Sequence, residues 1–333
     1  MKNITKLLAA SAAALALTTV SHAADDVFVD MEESKPFDFS LGTIILGRSG
    51  SGGTVLLDSF GSTVITSSND LLPSLGIDAK ASAELTNDIA LSARAIGTVA
   101  IEQSTTGTIF AGGLGYTDID GSIDNGLYGG FGVFDFTADV ETTSSVLSLE
   151  TNLEYAVGGS LFSVFVGGRY VRLTDDLDMV ISVADLGGAS NRTLLETSND
   201  LFGAQIGLMV EAPDTGTRFS GYAAGSVGYY AGNANLTVGS SGLVLGTTNP
   251  GAIITSASAS ETFDTYGADL EIAGSYQMTE RAGLTIGYKF MYFDKVAYTV
   301  PSLGLSNSNG SSADIGYDSV IYHGLTARLS LEF

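Results

Sequence analysis

Apolar and polar side chains alternate at period two along many segments of this chain, most clearly in residues 321–333. There Leu325 and Leu329 fall on one face, whereas Thr326 and Arg328 fall on the other. Successive side chains of a β-strand point to opposite faces, so this alternation indicates a strand with one apolar and one polar side. The same period recurs often enough along the chain to predict a sheet built from many strands.

Four pairs of alternating segments are separated by short polar turns and therefore predict β-hairpins. The paired segments are 75–86 with 89–102, 147–157 with 161–173, 199–212 with 217–231, and 262–278 with 281–296. Their turns contain Asn, Asp, Gly or Thr, the residues that tight turns favour. A first strand at about 37–46 and the terminal strand bring the expected count to ten.

Long segments rich in Gly, Ser, Asn, Thr and Asp separate these hairpins and predict five loops on the side opposite the four turns. One of these segments, residues 103–144, allows a second value for the number of strands. Within it, residues 108–114 and 130–140 alternate well enough to pair as an extra hairpin. Twelve strands is therefore the alternative to ten.

The N-terminus has the pattern of a secretory signal peptide. Lys2 and Lys6 precede an apolar run at residues 7–20, and Ser21 and Ala23 supply small residues before a cleavage site after Ala23. The run has about 14 residues, whereas a membrane-spanning helix needs roughly 20. We expect an exported chain with residues 1–23 removed, a short periplasmic segment at 24–36 and a single domain at 37–333.

Composition favours a membrane-spanning barrel over a soluble sheet protein. The chain has 42 Gly, 14 Tyr, 16 Phe, only 5 Pro and no Cys, and 15% of its residues are charged. A barrel with lipid outside and water or paired charges inside needs every second residue to be polar or small. We therefore predict an all-β fold, a transmembrane antiparallel β-barrel with short periplasmic turns and long extracellular loops in the bacterial outer membrane.

Net charge restricts the partners. Without Lys2 and Lys6, 12 basic residues face 37 acidic ones, which gives a formal charge of −25. This excess argues against nucleic acid, whose phosphates require Lys and Arg. The expected partners are outer-membrane lipids, lipopolysaccharide and the barrel-assembly machinery, with a homo-oligomer as a further option.

The polar faces of the strands carry charges of both signs that would point into the lumen. The candidate pore-lining residues are Asp78, Lys80, Glu84, Arg94, Glu150, Glu154, Arg169, Asp269, Glu271, Lys289 and Arg328. One hypothesis is that the bases pair with neighbouring carboxylates and plug a narrow lumen. The other is a water-filled pore whose surplus carboxylates favour cations.

Catalysis, cofactors and metals find little support in the sequence. After signal cleavage His323 is the single histidine, and alternation puts it on the lipid-facing side, where a general base has no cleft. No Cys nucleophile, phosphate-binding loop or dinucleotide fingerprint is present, so we predict no enzyme and no cofactor. A weak calcium candidate, Asp118, Asp120 and Asp124, lacks the Gly and Glu positions of an EF-hand loop.

Two resemblances point to outer-membrane proteins. Phe333 resembles the C-terminal assembly signal of bacterial outer-membrane barrels. Residues 167–178, 198–208 and 287–297 resemble the family of the Legionella major outer-membrane protein. The matching positions are Gly168, Arg169, Tyr170, Leu173, Asn199, Asp200, Leu201, Gly203, Gln205, Gly207, Gly287, Tyr288 and Asp294. The resemblance implies a porin-like protein that lets small hydrophilic solutes or cations diffuse, with a closed structural or adhesive barrel as the alternative.

Overall fold

A computed structural model describes residues 37–50, 54–58, 63–66, 70–99, 101–112, 114–117, 123–124, 134–157, 161–183, 189–213, 216–242, 253–299, 301–302 and 313–332. The predicted signal peptide and periplasmic segment, Phe333, Asp118 and Asp120 lie outside these residues.

The described residues form β-strands throughout, apart from turns and one short helical stretch near Thr299. The strands are β1 (Phe37–Gly50), β2 (Thr54–Asp58), β3 (Thr63–Thr66), β4 (Asp70–Glu84), β5 (Ile89–Thr98), β6 (Ile101–Gly112), β7 (Leu114–Thr117), β8 (Ile123–Asp124), β9 (Phe134–Val157), β10 (Phe162–Val183), β11 (Ala189–Glu211), β12 (Phe219–Gly242), β13 (Ile253–Gln277), β14 (Ala282–Tyr298) and β15 (Gly316–Glu332). No helix within these ranges is both long and apolar enough to cross a membrane.

Eleven of the strands form one antiparallel sheet that closes into a ring. The order is β10-β11-β12-β13-β14-β15-β1-β4-β5-β9, and β9 pairs again with β10. β1 and β15 join the two ends of the chain, with Asp38 opposite Glu332 and Gly50 opposite Val320. A transmembrane antiparallel β-barrel is thereby confirmed.

The eleventh strand, β6, continues β5 along the same partner. β5 pairs with β9 up to Gly97 opposite Leu147, and β6 resumes from Ile101 opposite Ser144. The one-residue change in register marks a bulge between them. The ring therefore has ten positions, and the extra pairing foreseen within residues 103–144 exists as an upward extension of β5 and β9. β2, β3, β7 and β8 form a separate small sheet in the two neighbouring connections.

Short turns lie at one end of the barrel, here called the turn end, and long connections lie at the other, the loop end. The pairing of β4 with β5, β9 with β10, β11 with β12 and β13 with β14 agrees with the four predicted hairpins. Gly216 adopts a φ of 69°, a left-handed conformation that glycine tolerates without a steric penalty.

Near the turn end the outer wall is a belt of exposed apolar side chains, such as Leu75, Ile206 and Ile272. Two pairs of aromatic rings bound this belt on β12 and β13: Phe219 with Tyr276, and Tyr229 with Tyr266. The pairs lie ten residues apart along both strands. At roughly 3.3 Å per residue and a tilt of about 40°, that spacing gives a height of about 25 Å, the thickness of the apolar band of a membrane barrel.

Several strands continue far beyond this belt, and there the two faces exchange character. On β12, Asn233 and Thr237 point outward, while Leu236 and Val238 are buried inside. The apolar core of the protein accordingly lies in the loop half of the barrel and includes Ile44, Leu46, Val171, Leu173, Leu201, Tyr230, Phe293, Val296 and Tyr322.

Sequence reasoning placed loops where these upper strands stand. Residues 174–198 were expected to be a loop, yet β10 runs to Val183 and β11 begins at Ala189. On these upper strands the side chains of Tyr230 and Tyr322 are buried inside the barrel. Both side chains point inward because inward and outward positions keep alternating on their strands from the apolar belt into the upper part of the barrel.

Candidate functional site: the lumen

The turn half of the lumen brings together ten of the eleven candidate pore-lining residues. Seven of them line one cavity: Lys80, Arg94, Glu150, Glu154, Asp269, Glu271 and Lys289. Asp78, Arg169 and Arg328 are buried beside it and pair with its lining residues. Glu84 lies apart from them as an exposed residue at the last position of β4.

Glu271 on β13 is the centre of the first charge network. It forms ion pairs with Arg94 and Arg328, and Lys289 approaches it to 3.8 Å. The Tyr222 hydroxyl donates to its Oε1 at 2.6 Å. Three bases on three different strands thus converge on one buried carboxylate.

Asp78 on β4 completes this network from the opposite side. The Arg94 guanidinium donates to both of its oxygens, at 2.8 and 2.6 Å, and Arg328 donates to Oδ2 at 2.7 Å. A forked guanidinium matches the two oxygens of a carboxylate, which fixes the geometry as well as the charge. Asp78, Arg94, Glu271 and Arg328 therefore form a closed quartet across the barrel.

Arg169 forms the second network, at the level where the polar lumen meets the apolar core. It pairs with Asp269, whose other oxygen lies 3.5 Å from Lys289 Nζ. Its Nε donates to Ser148 Oγ at 2.9 Å, and its Nη2 approaches Met291 Sδ at 3.2 Å. Arg169 thus contacts the polar groups of Asp269 and Ser148 as well as the apolar side chain of Met291.

The cavity between these networks is polar and large enough for several waters. About 70 Å³ is open to the centres of water molecules, and one water needs roughly 10 to 15 Å³. Gln205 donates to Asn152 Oδ1 at 2.8 Å, while its own Oε1 is buried without a protein partner. Such an acceptor is normally satisfied by ordered water.

The charges that line the cavity or pair beside it balance. Asp78, Glu150, Glu154, Asp269 and Glu271 are matched in number by Lys80, Arg94, Arg169, Lys289 and Arg328. Four more acids share the inward face at the turn end and make that mouth of the lumen acidic: Asp38, Glu84, Glu211 and Glu332. The cavity itself exerts little net field on an ion, whereas the acidic mouth attracts cations.

Tyr230 separates the polar lumen from the apolar core. Its ring lies where three inward glycines of adjacent strands leave space: Gly203, Gly228 and Gly267. A Cβ at these positions would come within 2.5, 2.5 and 2.9 Å of Tyr230 atoms. The ring of Tyr230 packs edge-on against the ring of Phe293, with 5.9 Å between the two ring centroids. We call these two rings the aromatic layer of the lumen.

Above this layer, the end of β14 parts from β13 and enters the barrel while it remains paired with β15. Its pairing with β13 stops at Phe293, a bulge follows, and residues 296–299 are all buried. Asn199 on β11 holds this segment by donating to Ala297 O at 3.0 Å and accepting from Ala297 N at 2.7 Å. The Thr299 hydroxyl donates to Asp175 Oδ2 at 2.6 Å.

Asp175 itself pairs with Arg48 inside the loop half. Burial opposes the charge of Arg48, but the neighbouring Asp175 carboxylate outweighs burial and raises the pKa of the guanidinium above its ordinary value. Sequence reasoning missed both residues and grouped Asp175 with a charged loop. The signal available was parity, because Asp175 shares a face with Leu173 and Leu177.

His323 lies on the outward face of β15, as alternation predicted, and its Nδ1 is 2.7 Å from the Tyr288 hydroxyl. Of the weak calcium candidates, Asp124 lies in β8. The described residues contain no cluster of three or more His, Cys, Asp or Glu that would suit a metal ion.

Comparison with known proteins agrees with a barrel. The family model described as "Putative beta barrel porin-7 (BBP7)" matches residues 123–301, more than half of the chain. The resemblance to the Legionella major outer-membrane protein is not confirmed. No curated protein matches the sequence.

Solved structures that match this chain include an outer-membrane protease, a toluene transporter and a FadL homologue. The outer-membrane protease OmpT of Escherichia coli superposes with a TM-score of 0.50 at 11% identity, over 90% of this chain and 99% of OmpT. The toluene transporter TodX of P. putida gives a TM-score of 0.29 at 12% identity, over 91% and 90% of the two chains. A FadL homologue of Pseudomonas aeruginosa gives 0.26 at 9% identity, over 90% of each chain. At these identities the OmpT likeness shows the fold alone.

Proposed function

Because the chain belongs to the putative beta barrel porin-7 (BBP7) family, we propose that it is a porin-like conduit for small hydrophilic solutes in the bacterial outer membrane. The observation that carries this proposal is the polar, water-sized cavity within the part of the barrel that the apolar belt surrounds. A lumen filled entirely by packed side chains would leave no such space, so the cavity favours a path for water and small polar solutes through this part of the barrel.

The balance of charges in the lumen determines which solutes we propose. Around the cavity, five acids and five bases leave no net charge, whereas Asp38, Glu84, Glu211 and Glu332 add four carboxylates at the turn-end mouth. We therefore expect passage of small uncharged polar solutes and a modest preference for cations over anions. The carboxylates at the mouth would produce this preference.

In the described conformation this conduit is closed at the loop end. The Tyr230 and Phe293 layer and residues 296–299 fill the barrel above the cavity. This filling favours a second candidate function, a closed structural or adhesive barrel whose loops meet other molecules.

A planar-bilayer recording on the refolded mature protein separates the two candidates. The conduit predicts conductance steps with a modestly cation-biased reversal potential in a salt gradient. The closed barrel predicts a folded protein, verified by heat-dependent migration on a gel, that stays silent. An anion-selective current would contradict the cation preference that the carboxylates at the turn-end mouth predict.

We also propose export, outer-membrane residence and the partners that follow from them. Removal of residues 1–23 is tested by the N-terminal sequence of the protein recovered from the outer-membrane fraction, which should begin at Ala24. Lipopolysaccharide, the barrel-assembly machinery and a second copy of the chain are the proposed partners. We propose no catalytic role, because His323 lies on the outer wall against Tyr288.

A further inference from the structure

Residues 296–299, here called the inner segment, occupy the loop half of the lumen and remain paired with the sheet through β15 alone, with Val296 opposite Asp318 and Tyr298 opposite Gly316. β13 pairs with β14 only as far as Gly267 opposite Phe293, and the described pairing of β15 with β1 ends at Val320. Beyond the bulge, β14 contacts the opposite side of the barrel through Asn199 on β11 and Asp175 on β10. The segment therefore closes the lumen as the inserted end of the β14–β15 hairpin.

The contacts that hold the inner segment against β10 and β11 are polar, although the surroundings are apolar. Asn199 satisfies both the N–H and the C=O of Ala297, and Asp175 accepts from both the backbone and the hydroxyl of Thr299, at 3.3 and 2.6 Å. Each contact reaches the segment from one side chain of the wall. Because these few polar contacts can form or break together, they stabilise one position of the segment relative to any other.

The closed arrangement leaves polar atoms without partners. Arg48 Nε and the Tyr298 hydroxyl are both buried and have no hydrogen-bond partner among the described residues, although the Arg48 guanidinium lies 4.8 Å above the Tyr298 ring. Buried polar groups of this kind cost stability, and a buried ion pair such as Arg48 with Asp175 adds little compared with apolar packing. Water would satisfy all of these groups if the segment moved away.

We propose that the inner segment is a movable plug of the lumen and that Asn199 and Asp175 form the latch that holds it. This inference rests on the proposed conduit, because a plug has a purpose only if solutes pass. Phe293, at the start of the bulge, couples plug movement to the aromatic layer with Tyr230. Release of the latch connects the loop end with the charged cavity below.

Cysteine labelling tests plug movement without requiring transport. The chain has no cysteine of its own, so single cysteines can be placed freely. Val296→Cys reports on the plug, whose Val296 is buried and makes none of the latch contacts. Leu195→Cys is the matched control, a fully buried residue on the wall of the same half, and Ser258→Cys is an exposed reference.

The measurement is the labelling rate with a membrane-impermeant maleimide on folded protein in lipid vesicles. We expect V296C to label about tenfold faster than L195C, and Asn199→Ala to raise the V296C rate about tenfold more while L195C stays slow. Asp175→Asn should act in the same direction. Equal rates for V296C and L195C in every background would overturn the plug, as would rates that rise together in N199A, which indicate general loosening.

Bilayer recordings on the same variants separate failure of the plug from failure of the conduit. N199A and D175N should spend more time open than the unaltered protein. Faster V296C labelling in a protein that never conducts would uphold the plug and reject the conduit. Unchanged open time in a protein that conducts would reject the latch and leave the conduit standing.

Discussion

The turn half and the loop half of this barrel are built from the same strands but place apolar and polar side chains on opposite faces. In the turn half the outer face is apolar and the inner face carries paired charges, whereas in the loop half the outer face is polar and the inner face is apolar. Along β9, β10 and β11 the alternation keeps its phase, so the exchange on these strands is made by residue choice alone. What surrounds the wall at each height decides which face is apolar, because lipid and water impose opposite demands on it.

This contrast also explains why the lumen can change function along its length. The charged half is hydrated and poorly suited to close tightly, since each charge needs a partner or water. The apolar half excludes water and packs densely. A cavity below and a closure above follow directly from the two interiors.

The largest loss in the free energy of unfolding is expected from Glu271→Leu, which tests the charged interior of the turn half. Loss of this carboxylate leaves Arg94, Arg328 and Lys289 with one partner fewer, and breaking a buried ion pair costs about 3 to 5 kcal/mol. Urea unfolding in lipid vesicles measures the loss, with Glu332→Gln as an exposed control at the end of β15. A loss below about 1 kcal/mol would mean that water screens the network as at a surface.

The next effect is expected from Leu201→Ala, which opens a cavity in the apolar loop half. Leu201 is fully buried, and such truncations cost about 2 to 5 kcal/mol. Leu208→Ala on the same strand is the control, because its side chain points outward into lipid and leaves no cavity. Equal losses for the two variants, measured by the same unfolding assay, would remove the distinction between the two halves.

Insertion of a charge on the outer wall locates the boundary between the halves. Ile206→Arg puts a guanidinium in the apolar belt, where it costs about 2 to 4 kcal/mol near the membrane centre. Thr237→Arg on the adjacent strand lies outside the belt and should cost less than about 0.5 kcal/mol by the same unfolding assay. Similar costs at both sites would show that the belt extends further than the aromatic pairs indicate.

The smallest effect is expected from Arg192→Ala on the outer wall of the loop half. Arg192 pairs with Asp178, but the arginine side chain is half exposed, and pairs of this kind contribute about 0.2 to 1 kcal/mol. The loss, again measured by urea unfolding, should vanish in about 1 M salt, because surface charges are screened there. A loss that persists in high salt would place this pair in a drier environment than the polar wall provides.

The sequence predicted the turn half well and the loop half poorly, for a physical reason. Around Leu75 and Asp78 large apolar groups alternate with charged groups. Both the strand and the face to which each of its side chains points could therefore be predicted. Around Asp175 the outward positions carry Asp and Thr, which are also the residues of loops, and the strand pattern was masked.

Partners across the lumen were beyond sequence reasoning. Arg94 and Glu271 come from β5 and β13, and which base meets which acid depends on barrel closure and register. The inner segment was missed for a related reason. Residues 296–299 look like the end of an ordinary strand, and their entry into the barrel depends on a bulge and on Asn199, which lies nearly a hundred positions away in the chain.

The length of β9 to β13 also sets a kinetic demand on biogenesis. A chain that inserts with its short turns trailing must carry the polar outer wall of the loop half, including Asp176 and Asn233, across the hydrocarbon layer before the apolar belt can settle in it. That transfer is a barrier that grows with strand length. Spontaneous insertion into preformed bilayers should therefore be slow, and faster into micelles, where no continuous layer has to be crossed.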